Sequence, residues 1–363
     1  MILEWLKQDV EGFRKAVDDG VPYPPLFVKI KLTFTCNLRC SMCNHWREER
    51  EPPLDTERFA EIIRELASMG CRKLHFTGGE PLLHEGAADL IALASDLGIR
   101  TAMTTNGTLV DKEMAKQLVK AGLRVVNISI DAHEHKTHDG IRGVEGAWKK
   151  TMRALEYFRR YGKKGKPVIR INTVVSEMNY RTLAGMPDFV QQHGADQLNL
   201  IAIDGFAGKG LNLSRSHIQE FNSDIAPHIA RRSLGLGLMG DPCEAYPFGR
   251  TDEQIKLAKK GLYAFGWYQR NPCFVPWFHS LIDYNGLVYI CCMTRERTPP
   301  LGDLKLTSFK EIWQGKLYEM VRHKEQPLLP PYCARCDNFL LENRTLLEMM
   351  RDAPKISDDD QIL

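Results

Sequence analysis

Phe27-Val28-Lys29-Ile30-Lys31-Leu32-Thr33-Phe34-Thr35-Cys36-Asn37-Leu38-Arg39-Cys40-Ser41-Met42-Cys43 runs from an apolar stretch into three cysteines within eight residues. The first six residues read as a β-strand, and the cysteine loop follows its C-terminal end. Cysteine thiolate is the usual iron–sulfur ligand, so three at this spacing can hold three irons of a [4Fe–4S] cluster. A fourth cysteine from elsewhere would close the cluster for plain electron transfer. Without one, the fourth iron is open to a small molecule.

Outward from this loop the chain alternates. A helix at about 56–69, with Asp55 as N-cap and Gly70 as stop, leads to the strand Lys73-Leu74-His75-Phe76 and then Gly78-Gly79-Glu80-Pro81. Further strands are expected at 100–104, ending in Thr105-Asn106-Gly107, at 124–130, ending at Asp131, and at 168–175 and 197–203. Helices at about 85–97, 112–121, 145–161 and 183–193 separate them. Such alternation predicts parallel strands with right-handed crossovers. Six units fall short of the eight of a closed barrel. The expected fold is therefore α/β, a partial (β/α)6 TIM-like barrel over 26–215 with an open side. Chemistry in such barrels gathers at the C-terminal strand ends, where the cysteine loop, Glu80, Asn106, Ser129, Asp131 and Asp204 fall.

The rest of the chain divides around this unit. Residues 1–25 read as one amphipathic helix to about residue 20 and a proline-rich lead-in. Residues 216–270 form a weakly patterned connector. Residues 271–342 predict a small C-terminal domain: a β-hairpin turning at Asn285-Gly286, with Cys291 and Cys292 closing its second strand, then a helix at about 309–323 and Cys333-Ala334-Arg335-Cys336. A C-terminal helix and acidic tail fill 343–363. Cys273, Cys291, Cys333 and Cys336 can complete a second iron–sulfur site with no open iron, or a tetrahedral zinc site. Cys71 and Cys292 read as packing. Cys243, in the connector, is either a bystander or a thiol that donates hydrogen to a substrate.

A formal charge of +3 on 363 residues is too small to argue for nucleic acid or an anionic membrane. No apolar stretch approaches the length of a membrane span, and the first residues lack a signal-peptide layout. A cytoplasmic location is expected. Thiols stay reduced there, so ten cysteines point to metal or redox chemistry.

Two glycines before Glu80 allow a close approach to the backbone, and its carboxylate can take an ammonium group. A ligand with an amine for Glu80 and a chelating group for the open iron is an amino acid. CxxxCxxC after the first strand, with GGE after the second, resembles the radical S-adenosylmethionine (radical SAM) superfamily. The resemblance implies a [4Fe–4S] cluster on Cys36, Cys40 and Cys43, with S-adenosylmethionine chelating its open iron. Cleavage of that cofactor to a 5′-deoxyadenosyl radical and hydrogen abstraction from substrate would follow. It also implies that Gly78, Gly79 and Glu80 meet the methionine moiety, that Ser129 contacts the ribose, with Asn172 a weaker candidate, and that a flavodoxin- or ferredoxin-type partner supplies electrons. Met42 departs from the aromatic residue many members carry there. The C-terminal region, including Leu301-Gly302-Asp303-Leu304 and Glu311-Ile312-Trp313, resembles the SPASM/twitch extension. That implies one auxiliary [4Fe–4S] cluster on Cys273, Cys291, Cys333 and Cys336.

The function expected is hydrogen abstraction from a peptide precursor or a small polar molecule, such as a sugar or aminocyclitol, ending in oxidation or epimerisation. The alternative is a non-catalytic iron–sulfur electron carrier or a zinc-stapled binding protein, which would have no need of Glu80 in its turn.

Overall fold

The computed structural model describes residues 2–47, 50–163, 165–203, 210–322, 331–336 and 339–352. Asp204 and the acidic stretch 357–360 lie outside them. Two short helices open the chain, α1 (Ile2–Lys7) and α2 (Val10–Asp19). The single helix expected here is broken because Asp9 caps α2, its side chain accepting from the Gly12 amide at 3.1 Å; such caps satisfy orphan donors of the first turn.

The central run follows: β1 (Phe27–Lys31), α3 (Thr56–Ser68), β2 (Lys73–Thr77), α4 (Ala87–Asp96), β3 (Arg100–Thr105), α5 (Lys112–Lys120), β4 (Val125–Ser129), α6 (His135–Arg142), α7 (Ala147–Tyr161), β5 (Val168–Val175), α8 (Met186–Gln192) and β6 (Gln197–Ala202). Each strand pairs in parallel with its predecessor. One face of this sheet packs beneath the helices: Val28, Ile30, Leu74, Phe76, Met103 and Ile171 belong to the main core. The other face alternates with it. Lys73, His75 and Thr77 on β2, and Arg170 and Asn172 on β5, are half-buried and alternate along each strand with fully buried residues. A period of two with one polar, part-exposed face is what an open concave sheet produces. The expected partial barrel is what forms. Helix α6 was not anticipated, because His135-Lys136-Thr137-His138-Asp139-Gly140 carries no apolar period and contains a glycine.

The connector holds α9 (Arg215–Glu220), continued by a π-turn at Phe221–Ile225, then α10 (Ala226–Gly235) and α11 (Asp252–Ala258). The C-terminal region contains α12 (Val275–Phe278), β7 (His279–Ile282), β8 (Leu287–Tyr289), β9 (Gly302–Asp303), α13 (Phe309–Gln314), α14 (Lys316–Arg322) and α15 (Leu340–Asp352). Gly315 divides the one helix expected at 309–323.

The C-terminal hairpin does not stand apart. β7 pairs in parallel with β1, Phe27 opposite His279 and Ile30 opposite Ile282, so the sheet runs β6-β5-β4-β3-β2-β1-β7-β8-β9. The chain reverses through Asn285 and Gly286, with Gly286 at φ +87° and its amide donating to the Asp283 carbonyl at 3.0 Å. β8 stops at Tyr289, so Cys291 and Cys292 lie beyond the strand and not within it as expected. The N-terminal helices pack here too. Ile2, Leu6, Phe13 and Ala16 share a core with Phe274, Phe278 and Leu346, and the Trp277 indole donates to the Ala16 carbonyl at 3.1 Å.

Candidate active site

The cysteine loop is clamped from three sides at the C-terminal end of β1. From β2, the Gly79 amide donates to the Thr33 carbonyl at 2.8 Å and the Glu80 amide to the Thr35 carbonyl at 2.9 Å. A Cβ at Gly79 would sit 2.1 Å from the Thr35 oxygen, and one at Gly78 2.5 Å from the Thr33 oxygen. The close approach that these glycines permit is thus the chain's own loop. From β3, the Asn106 side chain donates to the Asn37 side-chain oxygen at 2.9 Å. From α6, the Ile141 and Arg142 carbonyls accept from the Ser41 and Arg39 amides at 2.9 and 3.1 Å.

Glu80 is fully buried. One carboxylate oxygen accepts from the Thr105 hydroxyl at 2.7 Å and the Leu82 amide at 3.3 Å, the other from the Asn106 amide at 2.8 Å. Burial pushes its pKa up to about 7 against the pull of those donors and of Arg142. With its oxygens engaged in this way, Glu80 fastens the β2 and β3 loops together.

Each of the three sulfurs faces one nitrogen. Asn106 Nδ2 lies 3.9 Å from Cys36 Sγ, Arg142 Nη1 3.8 Å from Cys40 Sγ, and His45 Nδ1 3.1 Å from Cys43 Sγ. Burial holds His45 down to about 3, so its ring is neutral. Its Nε2 lies 2.9 Å from Lys31 Nζ. An ammonium only donates, so Nε2 accepts and Nδ1 carries the proton toward sulfur. Arg142 is itself anchored by Asp131, with Nε 2.8 Å from Oδ2 and the carboxylate wholly buried. Lys31 in turn lies 3.8 Å from Asp283 of the C-terminal hairpin, which also holds Arg295.

These residues fit an iron–sulfur cluster. Burial pushes the Cys36 thiol up to about 11 and also raises Cys40, so the free thiols stay protonated and a metal must take their protons' place. N–H donors aimed at the sulfurs are what a cluster-bearing thiolate set requires, and such bonds tune its potential. Asn106 was visible in the sequence as a strand-end residue. His45 and Arg142 were missed; no local pattern marks either.

Ser129 and Asn172 lie opposite each other in register on the concave face, and the Asn199 amide donates to the Asn172 side-chain oxygen at 3.2 Å. Cys273, Cys291, Cys333 and Cys336 gather in the other core, with Tyr268, Phe274 and Phe339. Buried Asn343 directs Nδ2 at Cys273 Sγ, 3.8 Å away. Burial raises the thiols of Cys273, Cys291 and Cys333. Cys71 is buried in the main core. Cys243 is exposed, 3.9 Å from Arg250 Nη1. Leu238, five residues before it, pairs with Leu198 near the start of β6, the end remote from the cysteine loop.

A radical SAM superfamily profile matches residues 30–190, and an iron–sulfur cluster-binding domain profile of the SPASM type matches 273–337. The Fe-coproporphyrin III synthase of Methanosarcina barkeri is 30% identical over 326 residues, covering 84% of this chain and 79% of that protein. The chain belongs to the radical SAM superfamily. The PqqA peptide cyclase of Xanthomonas campestris pv. campestris is 31% identical over 327 residues, covering 86% and 79%. Against the AdoMet-dependent heme synthase of M. barkeri, 32% identity extends over 173 residues, about half of each chain. Streptococcus suis SuiB bound to S-adenosylmethionine has the same fold, at TM-score 0.66 and 19% identity, covering 94% of this chain and 77% of that one. Radical SAM catalysis with a [4Fe–4S] cluster, S-adenosylmethionine and auxiliary iron–sulfur binding is established at this level, and the zinc and electron-carrier alternatives fall away. Among the described residues no helix is long and apolar enough to cross a membrane.

Proposed function

We propose that this radical SAM enzyme oxidises a substrate seated in the concave lumen of the barrel, with Cys36, Cys40 and Cys43 holding the S-adenosylmethionine cluster and Cys273, Cys291, Cys333 and Cys336 a single auxiliary one. The observation that carries this reading is the placement of the cysteine sets. The first follows the C-terminal end of β1. The second packs with Leu26 and Phe27 at its beginning, and the polar lumen lies beside the strand between them. When bound, the first group supplies a hydrogen-abstracting 5′-deoxyadenosyl radical and the second an electron acceptor. The chain's own part is to hold three sulfurs under N–H donors, to brace Arg142 with Asp131, and to present Ser129 and Asn172 to the cofactor's ribose from β4 and β5.

The likeness to the PqqA peptide cyclase supports a peptide precursor as substrate. The equal likeness to the Fe-coproporphyrin III synthase supports a small molecule as the second reading. Epimerisation is the weaker ending, because Cys243, its candidate hydrogen donor, is exposed and follows a segment that pairs near the start of β6. The test is anaerobic reconstitution. About eight irons per chain are expected from two four-iron clusters, with slow reductive cleavage of S-adenosylmethionine to 5′-deoxyadenosine. Cys40→Ala should abolish cleavage; undiminished cleavage in that variant would overturn the reading.

A further inference from the structure

The lumen face is basic. Lys29 on β1 stands in register with His75 on β2, and Phe27 with Lys73. Arg170 on β5 stands in register with Asn127 and Gln197, and its Nε donates to the Gln197 side-chain oxygen at 2.8 Å. Across a flat sheet β2 and β5 would be about 14 Å apart, but the sheet curls. The charges of Lys29 and Arg170 both bear on Lys73, and all three bear on His75. All four side chains are half-buried.

No described carboxylate lies within ion-pair distance of Lys29, Lys73 or Arg170. Glu244, which favours the Arg170 charge from farther off, is engaged in capping its own turn through the Gly240 and Asp241 amides. Glu342 favours the Lys73 charge from farther off, and burial raises its own pKa. Three half-desolvated cations without close counter-ions are costly unless something anionic joins them. Nothing in the established chemistry of the cysteine loop uses them, since they project two to five residues below their strand ends, on the order of 7–17 Å at the rise of a β-strand.

We propose that this site anchors the substrate through at least two carboxylates, bound by Lys29, Lys73 and Arg170, leaving the reacting carbon above them near the cysteine loop. Separate carboxylates fit better than one phosphate. The cations rise from three strands around the lumen. Arg170 takes a carboxylate through its planar fork and the lysines act as point charges.

The assignment rests on the proposed use of the lumen as the substrate site, so its test reads binding and not turnover. The reconstituted enzyme with S-adenosylmethionine is titrated calorimetrically with benzene-1,3,5-tricarboxylate, its neutral triamide, pyrophosphate, and the capped peptides Glu-Glu-Glu and Gln-Gln-Gln. The tricarboxylate or the Glu peptide should bind at least tenfold more tightly than its neutral counterpart. Arg170→Gln, Lys73→Met and Lys29→Met should each weaken that binding about tenfold, and surface Lys116→Met should not. The preferred anion distinguishes a small molecule from a peptide. Equal binding of neutral and acidic probes, tightest binding of pyrophosphate, or full binding by all three lumen variants would overturn the proposal. Three variants are used so that one that fails to melt cooperatively does not decide the matter. Cleavage of S-adenosylmethionine by the same wild-type preparation is scored separately, so its loss would count against the radical SAM reading alone.

Discussion

Gly79→Ala tests the clamp on the cysteine loop. The added methyl would lie 2.1 Å from the Thr35 oxygen and 2.4 Å from the Phe34 oxygen, more than 1 Å short of ordinary contact. Both obstacles are backbone, so no rotamer relieves them. The β2 turn and the strand leading to Cys36 must part, and the bonds from the Gly79 and Glu80 amides to Thr33 and Thr35 go with them. Overpacking costs about 1–3 kcal/mol and two backbone hydrogen bonds about 1 kcal/mol each, so a loss of roughly 3–5 kcal/mol is expected. The damage is local, because Thr35 adjoins Cys36 while Cys273 and its partners sit in another core. Iron per reconstituted chain should drop from about eight to about four, with a matching fall in the urea midpoint. A variant that melts like wild type and keeps eight irons would refute the reasoning.

Glu80 makes stability depend on pH in an unusual direction. Its folded pKa of about 7 exceeds the ordinary 4.5, so the folded chain binds the extra proton. The stabilisation is full below pH 4.5 and is lost as pH rises through 7, by about 3 kcal/mol in all. Urea unfolding from pH 4.5 to 8 should show wild type losing stability relative to Glu80→Gln; a flat difference would contradict it. Arg142→Met leaves buried Asp131 with a charge and no cation, which costs about 3–5 kcal/mol. Asp131→Asn in the same chain should restore part of that loss in a thermal melt, and strict additivity of the two substitutions would exclude the pairing.

Much of the barrel was legible because its signals are local. Alternating strand and helix lengths, Asp55 and the glycine stops each act within a few residues, and the structure keeps those elements to within a few positions. The three cysteines and the glycines after β2 were legible for the same reason. What escaped depends on partners far along the chain. Arg142 matters because Asp131 and Cys40 converge on it, and neither contact leaves a periodic trace in a polar helix. Glu80 was legible as the residue after two glycines, but its burial was not, since that depends on Thr105 and Asn106 closing over it. The basic lumen was not legible, because only the register of β1, β2 and β5 puts Lys29, Lys73 and Arg170 on one face.

The parallel pairing of β7 with β1 makes one strand a ruler. One cysteine set follows its far end and the other packs with its near end, so five residues of β-structure, about 16 Å at the rise of an extended chain, lie between the two. A two-residue insertion in β1 would invert no side chain but would lengthen that gap by about 7 Å.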